Sequence, residues 1–224
     1  MMSPLIAALI ILHLGYGSLF IVASAGLMLS VGPLFLVSRE NKEDGEIGMP
    51  CLSPKYFFEG LRNESLDVYR IIYMFIALGS ITAFGEIVAA SAVAGSVIVL
   101  TVSRINKKGT QPLLLSIGSI LHAPTMVIKG FLSDFASLLG IMVFASAANS
   151  ILISPFLTRF YNGVRKSGDE LAEREFGLWL GRAVCGMLFL LLLMLVPPEQ
   201  IYIWLLVLLA LTPILMAYFA NRKN

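Results

Sequence analysis

The fold class predicted is all-α: a polytopic bundle of transmembrane helices. Two observations predict it. Hydrophobic residues make up 58% of the 224 and charged residues only 13%, about half the charged share of an average soluble domain. The apolar residues also fall in long blocks, at 19–37, 87–102, 138–157, 183–196 and 201–220. A nearly uncharged run of about 18 or more residues crosses a hydrocarbon core of roughly 30 Å as a helix, whereas a soluble chain breaks such runs with polar faces.

Glycine, proline and charge clusters separate the segments. The first apolar piece, 3–14, is too short to cross fully, and Gly15-Tyr16-Gly17-Ser18 turns the chain into a second span at 19–37. The polar linker 38–55 carries Arg39, Glu40, Lys42, Glu43, Asp44 and Glu46. It is the clearest boundary, dividing the chain into 1–37, the cytoplasmic linker 38–55 and a six-helix bundle at 56–224.

The third segment, 56–78, contains Glu59, Arg62, Asn63, Glu64, Asp67 and Arg70. Either a broken helix lines a cavity here, or only 68–78 enters the membrane. The 35 residues from 68 to 102 fall short of the about 40 that two full spans need. That favours a helix starting near 53–56 and taking its charges inward. The fourth span is expected at 82–102, the fifth at 112–129 and the sixth at 133–157. A basic loop, 158–174, leads to the seventh at 176–196. Pro197-Pro198 breaks the chain before the eighth, at 200–220.

The net charge of +2 points to no nucleic-acid partner, because the basic residues sit at segment ends rather than in one patch. Arg39, Lys42, Lys55, Arg104, Lys107, Lys108, Arg159, Arg165, Lys166, Arg174, Arg222 and Lys223 all fall on one side when the spans alternate. By the positive-inside rule that side is the cytoplasm, giving a multi-pass protein of the cell (inner) membrane with both termini cytoplasmic. The start of the chain lacks the basic residues of a signal peptide. Cys51 and Cys185 are far apart, as are His13 and His122, so neither a disulfide nor a metal or cofactor site is expected.

Three local patterns carry a resemblance. Ser103-Arg104-Ile105-Asn106-Lys107-Lys108 lies directly between two spans. It resembles the Asp-Arg-x-Gly-Arg-Lys loop of the major facilitator superfamily, with Arg104, Lys107 and Lys108 matching, Ser103 in place of Asp and Asn106 in place of Gly. Asn is able to adopt the left-handed backbone that Gly supplies. Ser3-Pro4-Leu5-Ile6-Ala7-Ala8 resembles a weakened Gly-Pro-x-x-Gly-Gly motif from the fifth helix of that superfamily's antiporters. Arg174-Glu175 followed by Gly181-Arg182 resembles the start of its eleventh helix. The plain alternatives are a basic loop for the first pattern and an interfacial anchor for the third.

The order of these features resembles the superfamily from late in its fifth helix to the end of its twelfth. The resemblance implies a six-helix half of that fold preceded by one and a half helices. It implies a permease for a small molecule, driven secondarily and with proton coupling as one option, and a partial or shortened chain that needs a second chain or a dimer to complete the cavity. The loop residues Arg104, Lys107 and Lys108 are then a conformational latch, and Arg174, Glu175 and Arg182 charges at a helix mouth.

Ionisable groups inside a membrane cost several kcal/mol and mark pathways or pairs. Glu59, Arg62, Glu86 and Asn149 are the candidates to line a substrate cavity, with Glu86 a proton-titrating site. Glu59 and Arg62 are three apart and spaced to pair on one helix. The opposing reading leaves Glu86 at the headgroups and Asn149 as a contact between helices. Convergent catalytic groups are not evident, so no enzyme and no catalytic residue is expected. A non-transporting assembly or sensor protein is the alternative, and a membrane-embedded enzyme a more remote one.

Overall fold

The computed structural model describes residues 52–64, 73–74, 77–165, 169–197 and 200–222, together with His13 and Ser18, both helical. The expected segment 1–37, apart from those two residues, and the linker up to residue 51 lie outside the described residues. The elements are α1 (Pro54–Glu64), α2 (Ile81–Ile105), α3 (Gln111–Lys129), α4 (Phe135–Val164), α5 (Asp169–Leu195), α6 (Ile201–Leu209) and α7 (Thr212–Asn221). Among the described residues there is no strand.

Local chemistry explains where helices begin and end. Pro54 suits the first position of α1, where a missing N–H costs nothing. The Ser53 carbonyl accepts from the N–H groups of Tyr56 and Phe57. Gly79, at φ +60, makes the turn before α2, a backbone conformation glycine adopts without strain. Ser80 then caps α2 by accepting the Ala83 N–H. Asp134 caps α4 in the same way through the Ser137 N–H. The expected eighth span is present as Ile201–Asn221, built of two consecutive helices. Pro213 has no N–H to give the Leu209 carbonyl, and the Thr212 hydroxyl donates to it instead, at 2.7 Å.

Five stretches are long and apolar enough to cross a membrane: Ile81–Ile105, Gln111–Lys129, Phe135–Val164, Glu170–Leu195 and Ile201–Asn221. Their apolar side chains point outward as much as inward. Only 17% of the most apolar stretch of α5 is buried in the bundle, and Trp179, Met187, Leu190 and Met194 stand exposed on it. Hydroxyls within the spans bond to their own helix: Ser96 to the Ala92 carbonyl, Thr101 to Val97, Ser116 to Pro112 and Thr158 to Ser154. These four hydroxyls are thereby satisfied without water. The chain is an all-helical membrane protein.

The helices pair in an ordered way. α1 runs parallel to α5, with Lys55 beside Glu170 and Glu59 beside Arg174. α2 runs parallel to α4, with Gly95 against Ser146 and Asn106 bonded to Thr158. α1 packs antiparallel on α7 through Phe58 and Phe219, and α3 antiparallel on α4 through Gly118 and Leu152. α3 also packs on α7, where Asn221 donates to the Pro112 carbonyl. Exchanging α1–α2–α3 with α4–α5–(α6, α7) converts the first parallel pair into the second and the first antiparallel pair into the second. It leaves α3 on α7 unchanged. The two sets run in opposite directions, so they relate as an inverted repeat.

The core fills the space between these layers. One cluster joins Leu61, Met126, Cys185, Leu192 and Leu205, and a second joins Tyr56, Leu115, Leu152, Phe156 and Met216. Met74, Ile87, Leu138 and Met142 form a third.

Candidate functional site

Polar side chains converge where α1, α4 and α5 meet. On α1, Tyr56, Glu59, Gly60 and Asn63 recur at helical spacing. Tyr56 and Glu59 are each 1% exposed and Arg62 is 2% exposed. α5 comes unusually close: a Cβ built at Gly60 would stand 2.6 Å from the Leu178 carbonyl oxygen, and one at Gly177 2.7 Å from the Tyr56 Cβ. A Cβ at Gly181 would collide with the Phe57 carbonyl.

This approach sets the charges in register. Arg174 donates from Nε and Nη2 to the two carboxylate oxygens of Glu59, at 3.0 and 2.7 Å, the forked geometry that matches a guanidinium to a carboxylate. Its guanidinium lies 4.5 Å from the centre of the Phe160 ring on α4. One oxygen of Glu170 accepts from Lys55 Nζ at 2.8 Å and from the Tyr56 hydroxyl at 2.5 Å. The Tyr56 ring meets Phe156 and Phe160 edge to face. Arg62 crosses to α4, donating to Asn149 Oδ1, and also donates to Asn63 Oδ1 at 2.8 Å. The Glu170 carboxylate lies directly against Gly163 near the end of α4.

Glu59, Arg62 and Asn149 thus come together as candidate residues, with different partners from those expected. Glu59 and Arg62 do not pair along α1; each reaches another helix. Arg174 is part of the interior cluster rather than a helix-mouth charge, because α5 begins at Asp169, well before the expected 176. Glu175 and Arg182 remain on the exposed surface of α5. Glu86 is exposed on α2, opposite the buried Ile87, Ser91 and Gly95. Lys129 is buried at the end of α3.

Arg104, Lys107 and Lys108 are exposed in the α2–α3 turn. The turn is held by other groups. Asn106 has φ −76 rather than the left-handed backbone, and its side chain donates to the Thr158 hydroxyl at 2.8 Å. Thr110 Oγ1 donates to the Ile105 and Lys107 carbonyls. Nearby, Arg159 donates to Gln111 Oε1, the Ala220 carbonyl and Asn221 Oδ1, tying the ends of α3, α4 and α7.

Lys55, Tyr56 and Glu170 were not legible as part of a site. The spacing Gly177-x-x-x-Gly181 was the available signal, since two glycines one turn apart let helix backbones touch. Glu170 and Arg174, four apart, then face the same neighbour. Among the described residues no group of three or more His, Cys, Asp or Glu side chains is arranged to hold a metal. Compared with protein families, curated proteins and solved structures, the chain matches none.

Proposed function

We propose that this chain is a helical half of a secondary transporter of the major facilitator type, carrying a small molecule across the cell membrane with both termini in the cytoplasm. The observation that carries the reading is the inverted pairing of α1–α2–α3 with α4–α5–(α6, α7). Such nested three-helix repeats belong to transporters whose two halves rock around a central site. The loop pattern at Arg104, Lys107 and Lys108 supports the same family. The reading requires a second half, from another copy or another polypeptide segment.

The buried cluster fits this role. An ion pair enclosed between α1 and α5, beside an Arg–Asn link to α4, is an arrangement that exchanges partners when one member is neutralised. A substrate group able to bond Asn149 would compete for Arg62, which joins α1 to α4.

The test uses membrane vesicles from cells expressing the chain, with an imposed proton gradient and uptake of a small-molecule library followed by mass spectrometry. Gradient-dependent accumulation of one chemical class, lost in Asn149→Ala, is the expected result. Vesicles indistinguishable from those of the empty vector would reject a transporter completed by a second copy of this chain.

A further inference from the structure

A cavity of about 510 Å³ opens between the start of α1, the first turns of α5 and the end of α7. Leu52, Ser53, Lys55, Glu173, Phe219 and Arg222 are among the residues that line it. Its volume lies within the roughly 300–1,000 Å³ usual for small-molecule sites.

Its depth is given by the helices. Glu173 lies in the first turns of the apolar stretch of α5, and Arg222 directly follows the apolar stretch that ends at Asn221. Side chains at the ends of membrane-crossing helices stand at the level of lipid head groups. The same end of the bundle presents Arg104, Lys107, Lys108 and Arg165, all exposed, the distribution that marks a surface facing phosphate-bearing lipid.

The lining carries both signs. Arg222 is exposed at the mouth. Lys55 gives one hydrogen bond, to Glu170 at 2.8 Å, and lies 4.6 Å from the centre of the Tyr56 ring; an ammonium has three donors. The cavity also adjoins the positive end of the α1 dipole. Glu173 contributes a carboxylate to the same cavity, while Phe219 and the half-exposed Leu52 supply apolar wall. A purely anionic head group would leave Glu173 opposing it. A head group with a phosphate and a primary ammonium satisfies all three charges, with its glycerol end toward the apolar wall.

We propose that this cavity binds the head group of an aminophospholipid, its phosphate between Lys55 and Arg222 and its ammonium on Glu173. The site stands on this cavity alone and is independent of the transport reading.

The test measures lipid binding to the full chain in detergent by native mass spectrometry. The probes are phosphatidylethanolamine, phosphatidylglycerol and phosphatidylcholine with identical acyl chains, with inorganic phosphate as a separate arm. The parent should retain phosphatidylethanolamine best. Arg222→Ala should weaken it roughly tenfold, the loss of one charge-assisted contact. Glu173→Gln should abolish the preference over phosphatidylglycerol without weakening phosphatidylglycerol itself. Arg165→Ala, at the same end but outside the cavity, should match the parent. Equal retention of the three lipids by the parent overturns the proposal, as does parent-like selectivity in both cavity variants. Occupancy by inorganic phosphate matching that by lipid would reassign the site to a free anion and overturn it as well.

Discussion

Arg174 holds both carboxylate oxygens of Glu59, at 3.0 and 2.7 Å, across 115 positions of sequence. Glu59 is almost wholly buried and Arg174 retains 18% of its side-chain exposure. Removing one partner of such a pair strands the other charge away from water, a loss of about 3–5 kcal/mol. Glu59→Gln should therefore destabilise strongly, while Glu59→Leu with Arg174→Met costs much less than the sum of the two single changes. A double-mutant cycle by denaturant unfolding in detergent measures this, and a coupling near zero would show that the two side chains act independently.

The contact between α1 and α5 depends on the absence of side chains. Gly60→Ala places a methyl group 2.6 Å from the Leu178 carbonyl oxygen, an overpacking expected to cost about 1–3 kcal/mol. Gly140→Ala on α4 meets nothing within 4 Å and should stabilise by up to about 1 kcal/mol through helix propensity. Thermal unfolding should move in opposite directions for the two variants.

Arg159 connects three helix ends through Gln111, the Ala220 carbonyl and Asn221. Hydrogen bonds from a charged group are each worth about 1.5–3 kcal/mol when truncation leaves their partners unmet. Arg159→Ala should raise hydrogen exchange at the end of α7 and leave the α6 amides unchanged. Arg159→Lys should rescue poorly, because an ammonium cannot reproduce the planar fork. Full rescue by lysine would mean that charge alone holds these ends together.

Asp134 gives the protein a dependence on acid. The backbone N–H of Ser137 donates to its carboxylate at 2.9 Å and holds the Asp134 carboxyl below its ordinary value of 3.8. A carboxyl depressed in the folded state favours folding above its unfolded value. That contribution fades as the pH falls through the depressed folded value. The stability advantage of the parent over Asp134→Ala should be constant near neutral pH and shrink below pH 3.8. An advantage that persists unchanged into stronger acid would show that the cap does not act through the ionised carboxylate.

Most of the helical plan was readable from the residues. The blocks at 87–102 and 138–157 lie within α2 and α4, and the expected 112–129 matches α3 within one residue, because an apolar run of spanning length has few other conformations. α1 begins at Pro54, as the shortfall in chain length suggested. What was hidden depended on partners distant in sequence. Nothing near Glu59 announces Arg174, and the nearer Arg62 was the natural but wrong guess. The early start of α5 is hidden because 169–175 is polar by itself; Glu170 and Arg174 tie it to Lys55, Tyr56 and Glu59 of α1. Pro213 was visible, but not the break it makes between α6 and α7.

The close seating of α1 on α5 has a mechanical consequence. Backbones this near cannot slide by one helical step of about 1.5 Å without driving a side chain into a space only glycine fits. α1 and α5 therefore form one stiff unit, and Gly95 against Ser146 joins α2 to α4 as another. The two units meet where α4 faces α1 and α5: Arg62 bonds to Asn149 midway along α4, and Glu170 lies against Gly163 near its end. Tyr56 of α1 also packs edge to face on Phe156 and Phe160 of α4 and shares their apolar cluster, so parting the two units along that line would open this core.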